Sequence, residues 1–279
     1  LAGGVFLNAI ANHRILKETP FKRIFVQPAA HDAGTALGAA YLGWYRNKTS
    51  RTLPTRSPSP FLGRIYDDEE IEKTLVSAGT PYSRVEEPDY LTGCLIANGC
   101  IVARYDGRSE FGPRALGHRS ILADCRDPDI KQRLDQCVKY REPYRPYAPA
   151  VRSEDYARYF ELGAPSPYML LIGSVRPEWR SRLPGITHAD GSARVQTVDD
   201  FDDPGFARVI KAFHQITGIG VLLNTSMNIA GKPIVETPSD ALKFLAATRV
   251  DCLMIQGFVA ARTEQELNRI LQMREKVSA

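Results

Sequence analysis

Apolar residues recur along the chain at two spacings. Over 5–16, 67–79, 90–98, 129–138, 204–217, 239–248 and 264–276 the pattern predicts helices with one side turned to a core. Short apolar or alternating runs at 22–28, 101–105, 169–175, 193–198, 220–224 and 252–255 predict strands, buried on one or both faces. The stretch AAHDAGTALGAAYLGWY, residues 29–45, is rich in small residues and apolar on one face, which predicts a closely packed helix. End signals agree with these spans: Gly3 and Gly4 permit a tight turn before the first helix, and acids open DDEEIEKTLVSAG, which glycine closes. Strands and helices in mixed order, joined by long loops, predict an α/β fold.

Composition shifts once, at NKTSRTLPTRSPSPFLG over 47–63, where Ser, Thr, Pro and Arg predict a linker crossing the surface. We therefore divide the chain into residues 1–48, a linker at 49–66, and an α/β domain at 67–279. A turn, a helix, a strand and a helix are too little to make the first part a domain by itself. The chain opens directly on the glycine pair of LAGGVFLNAIAN, so we expect it to be a piece of a longer protein.

With 279 residues, 43% hydrophobic and 24% charged, the composition is globular rather than disordered or fibrous. No apolar run approaches the roughly 20 residues that span a bilayer, and no signal-peptide pattern opens the chain, so a cytoplasmic protein is expected. Five cysteines, odd in number and without C-x-x-C pairing, argue against a disulfide framework or a zinc site. The net charge of +4 is too mild to mark a nucleic-acid surface. Its placement matters more, because Arg104, Arg108, Arg114, Arg119, Lys139, Arg141, Arg145 and Arg152 crowd the middle of the chain.

Four polar segments carry candidate chemistry. In VKYREPYRPYAP, Lys139, Arg141 and Arg145 alternate with tyrosines and with Pro143, Pro146 and Pro149, which preclude a regular helix and hold the loop in one shape. YDGRSEFGPRALGHRS presents Arg108, Arg114, His118 and Arg119, with glycines that let backbone approach a ligand. ITHADGSARVQTV sets His188, Asp190 and Arg194 around a turn, and VLLNTSMNIAGKPIV runs from an apolar strand into Asn224, Thr225, Ser226 and Asn228. Polar residues just past a strand end sit where α/β sheets place ligands. Guanidinium forks match phosphate or carboxylate oxygens, and lysine supplies a point charge. One such segment alone reads as a solvated loop whose arginines pair with Glu110, Glu142 or Asp190. Four together predict a pocket for a phosphorylated or acyl-phosphate compound. His118, His188 and His214 are read as structural or solvated and receive no catalytic role.

Lys139-Tyr140-Arg141, followed by Ser226-Met227-Asn228, resembles the K-x-R and S-x-N signature of YrdC-like domains, which make acyl adenylates. More closely, GRSEFGPRALGHRSILAD, the lysine segment, DGSARVQTV and LLNTSMNIAGKPIVETPSDAL together resemble the C-terminal half of the O-carbamoyltransferases of antibiotic and nodulation-factor tailoring. The resemblance covers nearly the whole chain. It implies a YrdC-like twisted mixed sheet with flanking helices in 67–279, preceded in 1–48 by the end of an actin/sugar-kinase-like domain. It implies that carbamoyl phosphate and ATP give carbamoyl adenylate, whose carbamoyl group passes to a hydroxyl of a small acceptor.

In that scheme Lys139, Arg141 and Arg145 bind phosphate oxygens, Arg114 and Arg194 assist, Ser226 and Asn228 hold nucleotide phosphate, and Mg²⁺ shares the charge. Gly4 and Asn8 match a nucleotide-binding glycine pair, and Asp32 of HDAGTALGAA matches a ligand to a divalent metal such as iron, the remaining ligands being expected upstream. The partners implied are carbamoyl phosphate, ATP, the acceptor and an upstream domain, with no membrane, nucleic acid not expected and the oligomeric state left open. Two alternatives stand beside this one. A YrdC-like module could bind RNA with its tyrosines stacked on bases, against which the mild charge weighs. A relative of threonylcarbamoyl-adenylate synthases would lack GGVFLNAIAN and HDAGTALGAA, both present here.

Overall fold

The computed structural model describes residues 1–47, 59–142 and 144–277. Most of the expected linker, and Pro143, lie outside the described residues.

Helices α1 (Ala9–Glu18) and α2 (Gly34–Arg46) belong to the first part of the chain. After them come α3 (Asp68–Ser77), β1 (Tyr82–Arg84), α4 (Pro88–Ala97), β2 (Val102–Tyr105), β3 (Arg119–Ala123) and α5 (Ile130–Leu134), which runs into a π-helical turn, Asp135–Lys139. The chain continues through β4 (Ala148–Arg152), α6 (Tyr156–Tyr159), β5 (Phe160–Glu161), β6 (Leu171–Val175), α7 (Pro177–Arg180) and β7 (Ser192–Val198). It closes with α8 (Pro204–Thr217), β8 (Val221–Ser226), α9 (Pro238–Ala247), β9 (Cys252–Ile255), β10 (Phe258–Ala260) and α10 (Glu264–Val277).

The strands form one ten-stranded mixed sheet in the order β1-β10-β9-β2-β3-β8-β4-β7-β6-β5. The pairs β2 with β9 and β4 with β7 are parallel, and the others are antiparallel. The sheet is apolar on both faces, as strands covered on both sides must be. Alternation assigns the faces: Val102, Cys252 and Met254 pack with Leu95, Phe206, Ile210 and Phe213 of α4 and α8. Ala103, Tyr105, Leu253 and Ile255 pack with Ile71, Leu75 and Phe244 of α3 and α9 on the other face. Gly93 permits α4 to lie close on α8, since a β-carbon there would stand 2.6 Å from that of Ala212.

Four expectations need correction. Helix α2 is not closely packed: it starts at Gly34 and buries none of its residues. Residues 22–28 are not a strand: they carry no regular secondary structure, and among the described backbone hydrogen bonds their partner is Leu1, not the sheet. The first helix starts at Ala9 rather than residue 5, because Asn8 caps it by accepting from the amides of Ile10 and Ala11. Strands β3 and β4 arise in segments read as polar loops. Arg119 and Ser120 are fully buried in β3, and Pro149 sits in β4 between two partner strands.

The first part of the chain packs on the sheet beside β6. Asn12 is fully buried, and its amide donates to the carbonyls of Phe6 and Leu170. Val26 and Ala30 pack on Leu170, and Gly112 lies so close to Pro28 that a β-carbon would reach its carbonyl oxygen at 3.0 Å.

Candidate functional site

Strand β8 ends at Ser226, and the chain then turns so that Met227 is fully buried while Ser226 and Asn228 share the opposite side. The Ser226 hydroxyl bonds the Asn228 side-chain carbonyl at 2.5 Å, and the Asn228 amide is held by the Lys232 carbonyl. Into this corner comes Lys139, the last residue of the π-helical turn, only 3% exposed. Its ammonium has four acceptors in reach: the Ser226 carbonyl and hydroxyl (3.2 Å), and the Asn228 carbonyl (3.0 Å) and Oδ1 (2.9 Å). Burial, then the charge of Arg141, pulls its pKa down to about 7, against the opposing charge of Asp135.

Tyr140 adopts a left-handed conformation, φ 47°, which turns the chain back and separates Arg141 from Lys139 without extending the helix. The Arg141 guanidinium lies over the Tyr147 ring, 4.4 Å from its centre, and its Nε donates to Asp135 at 3.2 Å. The Tyr147 hydroxyl donates to the same carboxylate oxygen at 2.6 Å. Arg114 reaches the Leu7 carbonyl at 3.3 Å, and Arg194 projects from β7. Burial, then the charges of Arg114 and Arg141, pulls the pKa of Arg194 down to about 9, and burial alone depresses that of Arg114.

These cations are short of partners. One nitrogen of each of Arg114, Arg141 and Arg194 is buried without a hydrogen bond. Such donors cost free energy until an acceptor arrives, so the cluster is preorganised for an anion. Arg114, Arg194, Tyr147, His188 and Asn8 line a cavity of about 280 Å³ between α1 and the sheet.

Of the residues singled out from the sequence, Lys139, Ser226 and Asn228 meet, the charge of Arg141 acts on Lys139, and those of Arg114 and Arg141 act on Arg194. Arg145 does not join them: it is 54% exposed and pairs with Glu142 at 3.2 Å. Asn8 lines the cavity while capping α1; Gly4 opens a short 3₁₀ turn and is exposed. Asp32 is exposed, and its carbonyl accepts from Thr35. Among the described residues no three His, Cys, Asp or Glu side chains gather to hold a metal, so those around Asp32 do not form a metal centre.

The sequence reading missed Asp135 and Tyr147, which fix Arg141. Asp135 gave no signal beyond being an acid near a lysine, and the tyrosine was grouped with its exposed neighbours. His188, set aside as structural, lines the cavity. Other arginines from the crowded middle are structural. Arg104 is held by Asp89, Asp106 and the Gly117 carbonyl, and Arg119 lies 3.5 Å over the Tyr105 ring.

His118 supports the Arg114 loop from below. It stacks on Phe61 at 3.8 Å and faces Asp203 at 3.4 Å. Burial opposes charge on both groups, but their mutual hydrogen bond and charge prevail, leaving His118 above its ordinary 6.5 and Asp203 below its ordinary 3.8. The histidine's contribution to stability is complete below 6.5 and is lost as pH rises through its raised pKa. The aspartate's is complete above 3.8 and is lost as pH falls through its lowered one. Asp203→Asn keeps the cap on the Phe206 amide but removes the pair. Its deficit in urea midpoint should be largest between about pH 4 and 6.5 and shrink as pH rises further. A deficit unchanged up to about pH 9 would contradict the pairing.

Residues 94–262, more than half of the chain, match the carbamoyltransferase C-terminus model, and residues 1–41 match the carbamoyltransferase N-terminus. Nodulation protein NolO of Bradyrhizobium diazoefficiens is 39% identical over 96% of this chain and 50% of its own length. The 3'-hydroxymethylcephem-O-carbamoyltransferase of Amycolatopsis lactamdurans is 36% identical over 91% of this chain and 47% of its own. Nodulation protein U of Sinorhizobium fredii is 31% identical over 90% and 43%. The chain spans about half the length of the curated relatives it matches. The anion-seeking cluster lies inside the matched C-terminal region apart from Asn8, which lies inside the matched N-terminal one, and the chain belongs to the carbamoyltransferase family.

Proposed function

We propose that this chain is the carbamoyl-activating part of an ATP-dependent O-carbamoyltransferase. The observation that carries the reading is the cluster of Arg114, Arg141 and Arg194, each with one buried guanidinium nitrogen unpaired, and the buried Lys139 on which Arg141 acts. Carbamoyl phosphate and ATP are both polyanions, and both match such a site. Atom balance sets the order of events: water takes the phosphoryl group from carbamoyl phosphate, the carbamate oxygen attacks the α-phosphorus of ATP, and pyrophosphate leaves. Charge neutralisation is the main service these side chains offer, and no nucleophilic side chain is needed.

Within this reading, Ser226 and Asn228, positioned by Lys139, hold nucleotide phosphate. Arg114 and Arg194 hold the carbamoyl phosphate end beside α1, and residues 67–279 act as the YrdC-like domain. Arg145 would join only if its loop closes on ligand. Mg²⁺ would travel with the nucleotide, whose phosphate charge it shares. A metal on Asp32 would need ligands from outside the described residues, and no step is assigned to it. Transfer to a small hydroxyl-bearing acceptor falls to regions that the longer relatives carry beyond this match.

The test is pyrophosphate release from ATP that depends on carbamoyl phosphate. Arg194→Ala should lower it by about 10–100-fold, the usual range for removing one preorganised charge-stabilising donor or somewhat less. Undiminished release in that variant, or no release with either protein, would overturn the assignment.

A further inference from the structure

A phosphate site made of guanidinium and ammonium groups recognises charge, yet carbamoyl phosphate differs from acetyl phosphate in shape by almost nothing. What distinguishes them is an amine, which must donate hydrogen bonds. The cavity beside Arg114 and Arg194 is poor in groups that can receive them. Guanidinium groups only donate. The Asn8 side-chain oxygen already accepts from two backbone amides, and the Tyr147 hydroxyl is turned to Asp135. His188 is the remaining polar side chain lining this space, and its Nε2 is buried without a partner. We infer that His188 Nε2 accepts a hydrogen bond from the amine of the bound carbamoyl group and makes the site selective for carbamoyl over acyl phosphates. This deepens the carbamoyl-activation reading and rests on it.

The ring is held for that task. His188 opens a tight turn in which its amide donates to the Ser192 carbonyl at 2.8 Å and its carbonyl accepts from Gly191 at 2.9 Å. Nδ1 lies 3.1 Å from the Ser192 hydroxyl, and the Asp190 carboxylate accepts from the Ser192 amide on that same side. A negative charge near Nδ1 and the cation Arg194 near the cavity favour the tautomer with its proton on Nδ1 and its lone pair, on Nε2, toward the arginines. Burial, chiefly, keeps the ring neutral. The charge of Asp190 opposes it, and those of Arg194 and Lys131 add to it. Neutrality is required, because an imidazolium has no lone pair to offer.

Isothermal titration of the whole chain with three stable probes tests this. Phosphonoacetamide carries the amine, acetonylphosphonate replaces it with a methyl group, and inorganic phosphate reports the anion site alone. The unmodified protein should bind phosphonoacetamide about tenfold tighter than acetonylphosphonate. His188→Ala should bring that ratio close to one while leaving phosphate affinity unchanged, and His188→Gln, whose side-chain oxygen can accept, should recover part of it. An unchanged ratio in His188→Ala overturns the inference and leaves the proposed function standing. Equal loss for all three probes assigns His188 a merely structural role and also overturns it. Failure of every probe to bind the unmodified protein overturns the proposed function itself.

Discussion

Lys139→Ala should lower carbamoyl-phosphate-dependent pyrophosphate release by at least about 100-fold, the largest functional effect expected from any single change here. The substitution removes a buried charge and also the group that gathers the Ser226 and Asn228 oxygens. Orphaned acceptors cost about 1–3 kcal/mol each unless water enters, so some stability is lost as well. Lys139→Met keeps the apolar stem and separates the two effects: it should retain the fold and still lose activity. A second readout follows from the environment of the ammonium. Burial and Arg141 hold its pKa at about 7, with Asp135 opposing. A bound phosphate raises that pKa, so binding above neutral pH takes up a proton, and phosphate affinity falls as pH rises past 7. Titration in buffers of different ionisation enthalpy measures the uptake. Proton uptake that persists in Lys139→Met would show that another group is responsible.

Gly117→Ala should be among the most destabilising single-methyl additions in the chain. Gly117 stands at φ +130°, and a β-carbon there would lie 2.6 Å from a ring carbon of the fully buried Phe206. Backbone strain and overpacking each cost about 1–3 kcal/mol, so the sum is expected to be about 3 kcal/mol or more. At roughly 2–4 °C per kcal/mol for a large domain, the melting temperature should fall by about 6–12 °C. The same substitution at Gly79, at φ +60° with no neighbour within 4 Å, carries the backbone term alone and should cost about 1 kcal/mol. Comparable shifts for both variants would mean that Phe206 yields. The functional interest lies in what Gly117 joins. Its carbonyl receives Arg104 and its amide donates to Ser120, while the flanking amides of Leu116 and His118 converge on Glu110. This turn hands the chain from the Arg114 loop to β3, so Gly117→Ala should weaken phosphate binding in parallel with stability.

Much of the fold was legible because burial repeats along a chain at the period of each element. Strands β2, β6, β7, β8 and β9 and helices α3, α4, α8, α9 and α10 stand where alternation and helical spacing put them, within a few residues. The misses share a cause. β3 contains a buried arginine that no pattern of polarity would place inside, because its charge is satisfied by an aromatic face and by the carbonyls of Asp106 and Gly107. β4 carries a proline that argues against an internal strand until its neighbours are known. Residues 22–28 have the composition of a strand, but their described backbone hydrogen bonds go to Leu1 rather than to the sheet.

For the site, the local sequence determined which chemistry was available: K-x-R, S-x-N, and arginines in loops that glycine makes close-fitting. It also determined that such groups follow strand ends, since an apolar run that meets polar residues must leave the core there. Distance and pairing were decided only by the tertiary structure. Whether an arginine is a counterion or a ligand depends on which carboxylates the fold brings near it. Asp89 and Asp106 neutralise Arg104, Glu142 takes Arg145, and among the described residues no carboxylate pairs with Arg114 or Arg194. Sequence separation carries no information about that balance, because Lys139 and Ser226, 87 positions apart, meet only when the π-helical turn and β8 close on each other.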